Sequence, residues 1–123
     1  MIRTGMAGDG ASNNYEIVQQ LKVNYLEDVI LKCNVLSNIT EQAFCPANDG
    51  HIMPELRRVI HSMKGTAAMH DMAMISAICH RFEDFLMDEK LLSNIAYDDI
   101  VNHIVKFLDL IDMSAVIELQ NCR

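Results

Sequence analysis

The sequence predicts an all-α protein built as an antiparallel four-helix bundle, and three observations carry that prediction. Apolar residues recur at steps of three and four through four long segments. No segment alternates with the period of two that a strand needs, and short polar stretches join one segment to the next. A chain of 123 residues with 50% hydrophobic and 22% charged side chains, 5 Gly and 2 Pro has the size and composition of one globular domain with its own core.

Residues 1–14 (MIRTGMAGDGASNN) are small, polar and glycine-rich, which predicts a mobile tail. From Tyr15 onward Ile17, Val18, Leu21, Tyr25, Leu26, Val29, Cys33 and Leu36 share one face, predicting a helix that reaches about Asn38 with Asn13 or Asn14 as its cap. The stretch 40–52 contains CPANDG and loses the period, and Pro54 suits the first turn of a second helix. That helix turns Leu56, Val59, Ile60, Met63 and Ala67 inward. The apolar phase then restarts with Ile75, Ile78, Phe82, Phe85 and Leu86, so a tight turn is placed near Asp71, because Asp occupies left-handed backbone at modest cost. A last helix from about Tyr97 to Leu119 turns Ile100, Ile104, Phe107, Leu108, Ile111 and Val116 inward, with Asp98 and Asp99 suited to its positive N-terminal end. There is room for an extra short helix before it. The body of the domain is thus 15–121.

Composition narrows the function. Ten Lys and Arg against seventeen Asp and Glu give a formal charge of −7, which repels nucleic-acid phosphates and anionic lipid. No apolar run approaches the roughly 20 residues that span a bilayer, and no signal-peptide pattern opens the chain, so the expected location is the cytoplasm. Cys33, Cys45, Cys79 and Cys122 form no CxxC pair, which removes zinc-knuckle and thioredoxin motifs and leaves reduced, mostly buried thiols.

What breaks the bundle pattern lies on the second helix. With each residue advancing roughly 100°, Arg57, His61, Lys64, Gly65 and Ala68 form one stripe. A mid-helix glycine costs about 1 kcal/mol relative to Ala, so Gly65 calls for a reason, and bare backbone would let another molecule approach the His61 imidazole. Lys64, one turn on, can reach an anion on that ring. The next helix presents Ser76, His80, Glu83 and Met87 as a facing stripe, from which a carboxylate or second imidazole can hold one ring nitrogen and leave the other as a nucleophile. Between Glu55 and Asp71 no acidic residue occurs, while Arg57, Arg58 and Lys64 do, and Arg81 adds a cation on the next helix. This is chemistry for carrying a phosphoryl group.

The run His61-Ser62-Met63-Lys64-Gly65-Thr66-Ala67-Ala68, followed by Cys79-His80-Arg81-Phe82-Glu83, resembles the histidine-containing phosphotransfer (HPt) domains of two-component signalling. Within them, His80 makes it most similar to the N-terminal phosphotransfer domain of the chemotaxis histidine kinase CheA. The resemblance spans 15–121. It implies a phosphohistidine carrier that is no enzyme in isolation: His61 accepts the group at Nε2, Lys64 offsets its charge, Gly65 gives access, and Glu83 and His80 join Lys64 in a hydrogen-bonded network. The implied partners are a histidine kinase catalytic domain and a response-regulator receiver. They supply ATP and Mg²⁺, and this domain binds no cofactor. Where the family usually has Gly in the turn after the active helix, this chain has Asp71.

The competing readings are a metal-binding helical bundle and a non-catalytic interaction module. Di-iron bundles need Glu-x-x-His on paired helices; this chain has only the reversed His80-x-x-Glu83, once, and Lys64 would oppose a cation there. Met63, Met69, Met72, Met74 and Met87 fit core filling better than a docking surface. His51, His70 and His103 have no partners by pattern and receive no role.

Overall fold

The computed structural model describes residues 6–43 and 49–122, with side chains described over 14–42 and 52–122. Five helices follow one another: α1 (Met6–Ala43), α2 (Asp49–Met69), α3 (Ala73–Met87), the short α4 (Glu89–Asn94) and α5 (Tyr97–Cys122). No strand occurs among the described residues. α1 packs chiefly on α5, α2 on α3, and α3 on α5, while α4 buries none of its side chains and rests on α3. This is the all-α bundle the periodicity predicts, with the extra short helix present.

The long helices alternate up, down, up, down, and two sets of contacts fix the sense. The Tyr25 hydroxyl bonds the Met63 carbonyl while Leu36, Ile39 and Thr40 border a cavity with Ile52 and Leu56, so α1 and α2 run oppositely. Phe82 stacks on Phe107 with centroids 4.8 Å apart, and Phe85 meets His103 at 5.2 Å, which sets α3 against α5 in the same antiparallel way. The core between them holds Leu26, Val29, Cys33, Leu56, Ile60, Met63, Ala67, Ile75, Cys79, Phe82, Leu86, Ile104, Leu108 and Ile111, all buried.

The α2–α3 turn follows from one backbone choice. Asp71 has φ 59°, the left-handed region. Around it the Met72 N–H reaches back to the Ala67 carbonyl at 2.9 Å and the Asp71 N–H to the Ala68 carbonyl at 3.2 Å, the two bonds of a Schellman helix end, with Met72 buried beside the helix it leaves. Asp88 separates α3 from α4 and caps the latter, its carboxylate accepting from the Leu91 N–H at 3.0 Å.

Several boundaries depart from the sequence reading. α1 is helical from Met6, so over 6–14 helix stands where an irregular tail was predicted, and neither Asn13 nor Asn14 is its cap; residues 1–5 lie outside the described residues. Extending a formed helix costs far less than starting one. α1 also continues to Ala43 and α2 begins at Asp49, which leaves only 44–48, with Cys45, outside the described part of the predicted irregular stretch. Pro54 therefore sits inside α2, past its first turn, where its missing N–H removes one helical bond. Ile17, Val18 and Leu21 are exposed instead of inward. With 38 residues α1 is longer than any helix it can lie against, α5 having 26, and its early turns precede Leu26, the first buried residue among those whose side chains are described. On α5, Ala115 takes the core position and Val116 faces out at 37% exposure, because Ile111 plus four residues stays in phase and the larger side chain does not.

The turn yields a test. Asp71→Gly should raise stability by about 0.5 kcal/mol by relieving the left-handed backbone, whereas Asp71→Val, branched at Cβ, should lower it by about 1–2 kcal/mol. Urea midpoints of the three proteins measure both.

Candidate functional site

α2 uses its two sides differently. Leu56, Ile60, Met63 and Ala67 are buried, and the opposite side carries His61, 71% exposed, with Lys64, Gly65 and Ala68 following along the stripe. α3 does the same, burying Ile75, Cys79, Phe82 and Leu86 while Glu83 points back across the crevice toward α2. The two predicted stripes adjoin.

Glu83 is the joint. One carboxylate oxygen lies 2.6 Å from Nδ1 of His61 and the other 2.5 Å from Nζ of Lys64. Lys64 and Glu83 are largely shielded, at 27% and 18% exposed. The Lys64 ammonium holds the Glu83 carboxyl below the usual carboxylate range against the opposing pull of partial burial, and the His61 contact acts in the same direction as Lys64. An ionised carboxylate only accepts hydrogen bonds, so the hydrogen of this contact belongs to Nδ1. In the neutral ring that fixes the tautomer and leaves the Nε2 lone pair free.

The site has supports the sequence did not reveal. The Tyr25 hydroxyl donates to the Met63 carbonyl at 3.1 Å, within the turn that joins His61 to Lys64, and burial pushes that phenol up so that it stays a donor. His70 stacks on the Tyr25 ring at 5.0 Å and His103 packs on Phe85, so both serve packing. Tyr25 was visible only as one more inward position, since a pattern of spacings does not say whose carbonyl a hydroxyl will meet. The His51 side chain lies outside the described residues.

His80 is not in the network expected for it. Its Nε2 lies 3.6 Å from Asp84, one turn along its own helix, and its side chain is 63% exposed. Glu83 already satisfies both Lys64 and His61, and a local carboxylate is within reach of His80. Gly65 is open, with nothing within 4 Å of where a Cβ would stand, so no contact inside the chain demands glycine there. Lys64, Gly65, Ala68, Asp71, Met72, Ala73, Ser76, Ala77 and His80 line an open groove of about 660 Å³. Of the five methionines expected to fill the core, Met63 and Met72 do so, whereas Met69, Met74 and Met87 are exposed. Cys33 and Cys79 are buried free thiols whose pKa values burial pushes up to about 12, which makes them poor nucleophiles; Cys122 is partly buried.

Compared with models of protein families, residues 17–115 match the Hpt domain. The chain belongs to the Hpt domain family. Hpt domains are phosphohistidine carriers of two-component phosphorelays, carriers rather than catalysts, and they work with kinases and response regulators. Neither a curated protein nor a solved structure matched the chain. Among the described residues no helix is long and apolar enough to cross a membrane, and no group of three or more His, Cys, Asp or Glu could hold a metal ion. In this Hpt domain an ammonium fills the place at Glu83 that a metal reading would give to a cation.

The Glu83 contacts have a pH signature. A carboxyl whose folded pKa is lowered contributes stability that is complete above its unfolded pKa and disappears as pH falls through the folded one. Wild type should exceed Glu83→Gln by on the order of 1 kcal/mol at pH 7, keep that margin to about pH 5, and lose it below the ordinary carboxylate range. Urea unfolding at pH 7, 5 and 3 measures the margin.

Proposed function

We propose that His61 is the residue that carries the phosphoryl group, and the observation that supports it is the Glu83 contact on Nδ1, which leaves Nε2 as the open, outward nitrogen. The Nε2 lone pair attacks the terminal phosphorus of ATP held by a kinase domain. An N–P bond forms, the P–O bond to ADP breaks, and the ring keeps its Nδ1 hydrogen. Phosphorylation at Nε2 places positive charge on the imidazole, which the Glu83 carboxylate stabilises. In the second step a receiver aspartate attacks phosphorus, the N–P bond breaks, and His61 returns to the neutral ring. Lys64 keeps Glu83 ionised and adds positive field at the phosphoryl group. ATP and Mg²⁺ belong to the partners, and this chain supplies the nucleophile and its orientation.

The open surface at Gly65 and the groove beside it give a partner's pocket a way to close over the ring. This carrier works where ATP and reduced thiols are found, in the cytoplasm. Likeness to the chemotaxis-kinase type would add His80 to the hydrogen-bonded network that orients the ring; phosphotransfer as proposed uses His61, Lys64, Gly65 and Glu83, with His80 at the groove's rim. A non-catalytic interaction module is the alternative, and it predicts no phosphate on the chain.

Two outcomes test this. His61→Gln, a substitution at an exposed position, should keep the fold by circular dichroism and lose all acid-labile, base-stable phosphate after incubation with a panel of histidine kinases and ATP. Phosphate retained by the variant would move the site elsewhere. Gly65→Gln should hold or gain stability, because a better helix former enters open space, yet slow transfer by about 10-fold or more through steric conflict with the partner. Single-turnover transfer rates decide it, and an undiminished rate would remove the access argument.

A further inference from the structure

The charges around His61 do not balance once a phosphoryl group sits on the ring. Lys64 and Glu83 neutralise one another at 2.5 Å. A phosphoryl group then adds about two negative charges at neutral pH to a chain whose formal charge is already −7. Of the other cations in the sequence's basic cluster, Arg58 is held by Glu55 at 2.5 Å. Arg81 points away, roughly 160° around α3 from Glu83 by helical phase.

Arg57 differs from both. It stands one turn before His61 on the same stripe of α2, is half-buried, and forms no ion pair among the described residues. Its Nε is buried without a hydrogen-bond partner. Leaving a guanidinium N–H out of water and unpaired is costly, and such groups call for a reason. Helical side chains lean toward the N-terminus, so the His61 ring leans over the turn that carries Arg57.

We propose that Arg57 is a second cationic group of the site and binds the phosphoryl group carried on His61, an inference that rests on His61 being the phosphorylated residue. The division of labour follows from the contacts. Lys64 stays on Glu83 and keeps the ring oriented, while the unpaired planar fork of Arg57 takes the charge that arrives, offering N–H donors to phosphoryl oxygens. No bond is made or broken by Arg57. It favours the doubly ionised phosphoryl form and prolongs its stay on the ring.

The test needs no partner protein. Phosphoramidate passes its phosphoryl group to imidazole with release of ammonia, and mass mapping at neutral pH locates the phosphate on the intact chain. ³¹P NMR then follows the second ionisation of that group. In Arg57→Met, which keeps the apolar stem and deletes the charge, the ionisation should move up by about 0.7 pH unit, what one charge in direct contact at roughly 4 Å is worth in water. Arg57→Lys should move it less, and 1 M salt should shrink the difference. If Arg57→Met does not fold, Arg57→Gln gives the same comparison. A loaded His61 whose ³¹P titration is the same in wild type and the uncharged variant overturns the role of Arg57 alone. Phosphate mapped to other residues with none on His61 overturns the site reading and this inference together.

Discussion

Everything at the site depends on the register in which α3 folds back on α2. His61 and Glu83 are 22 residues apart, and they meet at 2.6 Å because the chain reverses within three residues, with Asp71 in the left-handed region and Met72 tucked under the end of α2. A slip of one residue between the helices would rotate Glu83 by roughly 100° and take it out of the crevice. The turn therefore does more than connect. It sets which carboxylate faces which imidazole, and it does so with an aspartate, which tolerates that backbone less well than glycine.

The same two helices serve core and site, and this keeps the site rigid. Ile60, Met63 and Ala67 anchor α2 on the side opposite His61, and Cys79, Phe82 and Leu86 anchor α3 around Glu83. Any rotation of either helix would expose part of that apolar surface. Large-to-small changes there are costly in well-packed cores, so the core resists it. Tyr25 adds a polar tie from α1 to the backbone between His61 and Lys64. The exposed imidazole thus sits on a framework held by burial from below, with the Glu83 contact fixing its rotation from the side.

The charge pattern around His61 differs from that of the chain as a whole, whose formal charge is −7. The region from Arg57 to His70 is free of acidic residues along the chain, and the one carboxylate brought to His61 arrives from another helix already paired with Lys64. Glu83 can accept the Nδ1 hydrogen without repelling an incoming anion as strongly as a free carboxylate would, because Lys64 cancels most of its charge at short range. The groove beside these groups is lined largely by small side chains, and nothing in the chain occupies the space above Gly65. An accessible ring, a local cation and clear space suit a group that must be reached by one partner and then by another.

The sequence by itself determined the helical class, the faces that form the core, the position of the turn at Asp71 and the membership of both stripes, because these are local matters. Period, breaker residues and helical phase are written into each segment, and the H-x-x-K-G run with Glu83 beyond it picked out His61, Lys64 and Glu83, which the fold brings into contact. Only the tertiary structure decided where α1 stops being covered, leaving Ile17, Val18 and Leu21 in solvent, since a helix's own pattern carries no information on the length of its neighbours. It also decided that Ala115 rather than Val116 enters the core, that Glu83 takes both Lys64 and His61 while His80 turns to Asp84, and that Tyr25 bonds the Met63 carbonyl. At Glu83, His80 and Tyr25 the choice is among partners that helical phase alone does not separate. Such choices are settled by distances between helices, which depend on the packing of all of them at once.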